Sequence, residues 1–331
     1  MSRYGSFVNV VVKSVALLAL GCGGLTSNAG PDAGDAASPF DSGAPGAPTC
    51  TKPPWVVFDY MQGGATSYRI YAMHPDGTAF HALDLGPMRA TLPAISRDGT
   101  KLVYDQYDDS GPNETEGLML FDVTTKASTP VGWPATVILY WSAISPDDQF
   151  VVYSSAYMNT FITGANGSGL RQLIQPNGGN GAFPVFSNDS STVYFVASGK
   201  VSSVRADGTD FQTLTTGAGD IGEGLALSPD GTRVVVPVLC AAKWQLRIFS
   251  LAALPGDSCT AGTTLLPDFM SNGVAAVHPS WSDADLIVYS DTHDLQIVAA
   301  SGGAPTNITS QLTASGGWAS DAVWASGCSD F

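Results

Sequence analysis

Short apolar runs alternate along the chain with clusters of Gly, Pro, Asp and Ser, and one phrase keeps returning. "ISRDGTKLVY" (95–104), "ISPDDQFVVY" (144–153), "FSNDSSTVYF" (186–195), "LSPDGTRVVV" (227–236) and "WSDADLIVYS" (281–290) share one order: a large apolar residue, Ser, a polar turn, then a β-branched and aromatic run. Runs of this length bounded by turn formers predict strands, not helices. The Asp-Gly step or its substitute predicts a tight turn, because Gly tolerates positive φ and Asp bonds its own backbone.

Aligned on the serine, Ser96, Ser145, Ser187, Ser228 and Ser282 are 49, 42, 41 and 54 residues apart, and Ala325 follows 43 later. A period of this size with several short strands per unit predicts a β-propeller. One unit cannot bury both of its faces, so units stack around an axis. Each unit reads as four strands. The first ends at Ile95, Ile144, Phe186, Leu227, Trp281 or Trp324, and the repeated phrase is the hairpin from first strand to second. The stretch 69–83 supplies third and fourth strands, following the second-strand run "WVVFDY" (55–60), with no first strand before them. "WASDAVWASG" (318–327) is a first strand with nothing after it. The two ends therefore complete one blade, giving an all-β, six-bladed propeller with no exposed sheet edge at the seam.

"LPAISRDGTKLVY", "FPVFSNDSSTVYF", "LALSPDGTRVVV" and "HPSWSDADLIVY" resemble the TolB-type (WD40-like) propeller repeat, over residues 55–331. The resemblance implies the fold. TolB itself is a periplasmic partner-binding protein with an added N-terminal α/β domain that is not expected here. Similar propellers accompany prolyl oligopeptidase-like peptidases, but no Gly-x-Ser-x-Gly elbow occurs in this sequence. Analogy at the level of fold names no activity.

The composition sharpens the setting. The chain has 331 residues, 44% hydrophobic and 13% charged, with net charge −15. No basic footprint is available to replace phosphate counterions, so nucleic acid is not an expected partner. Residues 1–21 read as an export signal: Arg3 and Lys13 supply positive charge before "VALLAL", which is too short to span a bilayer. "ALGC" resembles the bacterial lipoprotein signal, with Cys22 as the lipidated residue; an ordinary secretory signal is the alternative. Residues 22–50 read as a disordered tether and 51–331 as the propeller. The expected location is the cell envelope, lipid-anchored, facing periplasm or exterior. Gly23 after the cysteine favours the outer membrane by resemblance to enteric sorting.

An exported chain pairs its cysteines. Cys50, Cys240, Cys259 and Cys328 remain, with three possible connectivities. Cys50 and Cys328 belong to the shared blade and are expected to pair. Cys240 and Cys259 then pair by elimination, which requires "SLAALPGDSCTAG" (250–262) to fold back.

In a propeller, ligands gather at loops leading into the first strands, and the second-to-third-strand connections open on the same face. Candidates there are Arg89, Tyr140, Trp141, Phe183, Glu223, His278 and Asp321, with Tyr157, Trp244, Asp291, His293 and the acidic insert 105–117. Glu223 and Asp321 read as a catalytic acid pair, as holders of a cation such as calcium, or as solvated charges at a channel mouth. His278 reads as a ligand or as a packed axial residue. Trp141, Tyr140 and Trp244 read as an aromatic platform or as packing between blades. No metal-ligand spacing links His74, His81, His278 and His293, and no nucleophile is marked. Three functions follow. The first is a non-catalytic, lipid-anchored module binding a protein, peptide or envelope polymer on the axial loop face, away from the membrane. The second is a propeller enzyme, a lyase or lactonase-like hydrolase, using Glu223, His278 and Asp321. The third is a carbohydrate-binding module using the aromatics.

Overall fold

The computed structural model describes residues 53–108, 115–131, 139–155, 159–173, 181–270, 277–325 and 331. The export signal with Cys22, the tether, Cys50, Tyr157 and Cys328 lie outside the described residues, and with them the expected Cys50–Cys328 bond.

Six antiparallel sheets form the propeller blades. Blade one runs outward from Trp318–Ala325 through Trp55–Met61 and Arg69–Met73 to His81–Ala82, so strands from the two ends of the chain share one sheet. Blade two is Arg89–Ile95, Lys101–Asp108, Thr115–Asp122 and Ala127–Val131. Blade three is Leu139–Ile144, Phe150–Ser155, Thr160–Gly164 and Arg171–Gln172. Blade four is Gly181–Phe186, Thr192–Ala197, Lys200–Arg205 and Gln212–Thr213. Blade five has an inner strand split into Asp220–Ile221 and Ala226–Leu227, then Arg233–Cys240, Lys243–Ser250 and Thr263–Met270. Blade six is Ser280–Trp281, Leu286–Asp291, Asp294–Ala299 and Thr306–Asn307.

The repeated phrase persists because its serine ties the turn. In blades two to five the buried or half-buried hydroxyls of Ser96, Ser145, Ser187 and Ser228 donate to Asp98, Asp147, Asp189 and Asp230 at 2.7, 2.5, 2.6 and 2.5 Å. Each also accepts the amide five residues on, from Lys101, Phe150, Thr192 and Arg233, at 2.9 Å. The hydroxyl thus satisfies a donor and an acceptor that the turn would otherwise orphan. These bonds hold the aspartates below their ordinary range, Asp189 and Asp230 at about 2, chiefly through the serine hydroxyls.

Alternation along the second strand fills the seams. Val56 and Phe58 face blade six, while Val57 faces blade two. Val234, Val236 and Val238 face blade four, while Val235 faces blade six. The hydrophobic clusters among the described residues fall one to each seam.

Two differences from the sequence reading have physical causes. The stretch 105–117 is not wholly an insert. Asp105 pairs with Leu118 and Gln106 with Gly117, so the hairpin extends into it and buries Asp105 in a strand. The blade-five inner strand breaks around Gly224, whose φ is 94°.

The 251–262 stretch folds back as expected. Gly256–Asp257 pairs in parallel with Thr215–Thr216 of blade four, and Cys240 and Cys259 are disulfide-bonded with Cα atoms 5.6 Å apart.

Candidate functional site

Four residues before each reference position, every inner strand carries one residue with positive φ: Leu92 (56°), Trp141 (33°), Phe183 (57°), Gly224 (94°), His278 (38°) and Asp321 (54°). Pairing registers skip at this point in blades one to four, the mark of a β-bulge. A bulge re-aims a side chain, and the six positions line the axis, five with side chains and Gly224 without one. Blades three and six lie on opposite sides of the ring, yet the Trp141 and His278 rings are 5.7 Å apart. Phe183 lies 4.0 Å from Trp141 and 5.5 Å from His278, and Tyr140 stacks on Trp141 at 5.0 Å. Gly224 makes room for this packing: a Cβ there would lie 2.7 Å from the His278 Cα.

The charged part of the ring spans three successive blades. His278 Nδ1 of blade six contacts Asp321 Oδ1 of blade one, and its Nε2 lies 3.6 Å from Glu223 Oε2 of blade five. Burial alone would lower the His278 pKa, but Asp321 and Glu223 raise it to about 10. Burial would raise Asp321, but the imidazolium outweighs it and holds the carboxyl below its ordinary range. Beneath this pair, burial and then the Asp321 charge push Asp59 well above the carboxylate range. Both Asp59 oxygens accept the Leu92 amide, at 3.1 and 3.0 Å. Ser290 does the same work one seam away, its hydroxyl accepting the Asp321 amide at 3.3 Å. Burial, then Glu116, likewise raises Asp105, the matching residue of blade two. Tyr68 joins the cluster: burial, Asp321 and Asp59 raise it, and Arg89 opposes them.

Below the ring lies an axial cavity of about 290 Å³, lined by all the inner strands and by Arg97, Asn188 and Asp283 of the turn face. Arg97 of blade two reaches the opposite blade and donates to the Pro229 carbonyl at 3.2 Å; Asn188 donates to the same oxygen at 2.7 Å. The turn face is also where the described chain begins, since Trp55 pairs with Ala325 at the turn end of blade one.

The structure therefore brings together Tyr140, Trp141, Phe183, Glu223, His278 and Asp321. Arg89 stands beside them, with its guanidinium 5.4 Å from the Tyr107 ring. Trp244 is elsewhere: alternation turns it toward the cluster between blades five and six. His293 is also apart, packed on Trp318 at 3.8 Å, and burial lowers its pKa. Asp291 lies in the same hairpin, where burial raises its pKa. Glu223 and Asp321 are not freely solvated charges; their side chains are 28% and 16% exposed. Among the described residues, no group of three His, Cys, Asp or Glu is arranged to hold a metal ion. Sequence reasoning missed Leu92, Gly224, Asp59 and Tyr68. Counting back four from each serine would have found the first two, and an Asp interrupting "VVFDY" flags the third.

No protein-family model matches the sequence, and no curated protein matches it. Solved structures do match in fold. TolB from Acinetobacter baumannii superposes with a TM-score of 0.66 at 14% identity, over 82% of this chain and 66% of that one. A nidogen/laminin complex gives 0.61 at 12% identity, over 82% of this chain and 100% of that one. An oligogalacturonate lyase in complex with manganese gives 0.50 at 17% identity, over 71% and 74%. The chain thus spans 66% of the TolB length and shares the TolB-like propeller fold.

Proposed function

We propose that this chain is a non-catalytic binding module of the cell envelope whose axial loop face receives a protein or peptide partner. The observation that carries this reading is the charge compensation of the axial cluster. His278 is protonated between Asp321 and Glu223, and the ordinary acid or base of an enzyme needs a pKa near its working pH. Burial pushes Asp59 and Asp105 well above the ordinary carboxylate range. A calcium ion between Glu223 and Asp321 would have to displace the imidazolium, so the reading needs no metal. Arg97 crosses the turn-face end of the axis and the described chain begins there, so the partner reading uses the opposite, loop face. Tyr140, Glu223 and Arg89 on that side combine a rigid aromatic with both charges, the composition of an interface centre. The nidogen/laminin likeness supports a protein partner, because that propeller is seen in a protein complex. Lipidation of Cys22 would tether the module to the outer membrane with this face outward.

The test is capture of partners from envelope extract by the untethered chain, with mass-spectrometric identification. The expected result is one partner retained by the unaltered chain and lost with Tyr140→Ala and Glu223→Arg. Absence of any such partner would sink the reading, and so would turnover that depends on His278. Cys22→Ala should move the full-length protein from the membrane to the soluble fraction.

A further inference from the structure

The repeats serve as each other's controls. One row crosses the second, third and fourth strands at the same place in every blade and faces the next blade. It reads Val57–Ala72–His81, Val103–Leu120–Thr129, Val152–Ile162–Arg171, Val235–Ile248–Thr263 and Val288–Ile297–Thr306 in five blades. Its first two positions are apolar in each of them and pack into the seam with the following blade. In blade four alone the row is Tyr194–Ser203–Gln212. Thr192 and Arg205, a cross-strand pair, extend the same polar face.

A cavity of about 260 Å³ opens over that row, lined by Tyr194, Ser203, Arg205, Asp210 and Gln212. Its opposite wall is Leu251 and Leu254 of the folded-back segment. That segment is pinned by the Cys240–Cys259 bond and by the Ser258 hydroxyl, whose one proton lies between the Thr216 and Gly219 carbonyls at 3.0 and 2.9 Å. Polar groups in a seam that is elsewhere apolar oppose folding unless something pairs them. Here Ser203 is buried and Tyr194 half-buried, while Arg205, Asp210 and Gln212 are exposed, the Gln212 amide donating to the Asp210 carboxylate at 3.0 Å.

We propose that this groove between blades four and five is a binding site for one ring of a neutral saccharide. A sugar hydroxyl both donates and accepts, and the groove offers both: hydroxyls from Tyr194, Ser203 and Thr192, the Gln212 amide, the Asp210 carboxylate and the Arg205 guanidinium. Arg205 and Asp210 cancel in charge, which suits an uncharged ligand. The Tyr194 ring and the two leucines supply apolar surface for the carbon face of a pyranose. An extended peptide would need a free strand edge, and the outer strand here is only the two residues Gln212–Thr213. The site lies apart from the axial cluster, and its fate is independent of the partner reading.

The test is titration of the full chain, by calorimetry and ligand-observed NMR, with methyl glycosides of glucose, galactose, mannose and N-acetylglucosamine. Inorganic phosphate and a blocked tripeptide are run beside them. The expected result is saturable binding of at least one glycoside, weakened tenfold or more by Gln212→Ala. The double variant Tyr194→Val, Ser203→Ile restores the row of the other blades; it should abolish binding while unfolding at equal or higher denaturant. The proposal is overturned if no glycoside binds, if only phosphate or the tripeptide binds, or if the double variant keeps its affinity. It is also overturned if the double variant is destabilised, since the polar row would then be structural. Partner capture through the axis should be unchanged in both variants.

Discussion

Two places along the seams of this propeller depart from the rest, in opposite ways. Where blades five, six and one meet at the axis, the fold places His278, Glu223 and Asp321, and each charge finds its counterpart inside the protein. Where blades four and five meet at the rim, the fold places Tyr194, Ser203 and Gln212 over a cavity and fixes the far wall with a disulfide. The first departure is self-contained and serves closure of the ring. The second opens onto a cavity, which the saccharide proposal fills. A polar substitution in a repeat is thus informative only after its partners have been counted.

The largest effect that could break this comparison is at the axis. His278→Ala leaves two carboxylates without their cation and should lower unfolding stability by about 3–5 kcal/mol in urea titration. The pH profile separates charge from packing. The folded pKa of His278, about 10, lies above its ordinary value of 6.5, so its contribution is complete below the lower value and lost as pH rises through the upper. The alkaline fall in melting temperature should therefore vanish in His278→Ala. If the variant keeps full stability, the axial cluster is not a closure device.

At the rim, replacing both Cys240 and Cys259 with Ser opens a loop with a sequence separation of 19. On the chain-entropy model this costs about 3 kcal/mol, measurable by differential scanning calorimetry. The same variant should lose the glycoside, because the leucine wall is released. Retained binding would detach the insertion from the groove.

The smallest effect concerns the turns common to both seams. Ser228→Ala removes the acceptor of the Arg233 amide and the donor to Asp230, and should cost about 1–2 kcal/mol. NMR titration should show Asp230 moving up from about 2, since the serine hydroxyl is the chief cause of its depression. That depressed value stabilises the fold above the ordinary carboxylate range and is lost as pH falls through it, so acid resistance should narrow in the variant. An unmoved Asp230 would show that the backbone amides alone hold it.

Much of the architecture was legible in the sequence because each blade repeats its serine, its turn and its apolar run. The shared first blade could be deduced from which strands lacked companions. The axial site was only half legible. His278, Asp321, Trp141 and Phe183 stood out as chemistry-bearing types, but Leu92 and Gly224 belong to the ring through backbone geometry, which composition does not mark. Trp244 stayed open between platform and packing, because position at a blade end does not tell which way alternation turns the side chain. The rim site was invisible for a stricter reason: Tyr194, Ser203 and Gln212 become a row only once strand register aligns them.

The placement of the first described strand has a mechanical corollary. Trp55–Met61 is not an edge; it is laddered to Trp318–Ala325 on one side and to Arg69–Met73 on the other. A pull applied at Pro53 runs along that strand and loads both ladders in shear. Many hydrogen bonds must then yield together, where an edge strand would peel one bond at a time. Drag on the head would be borne by a segment secured on both sides.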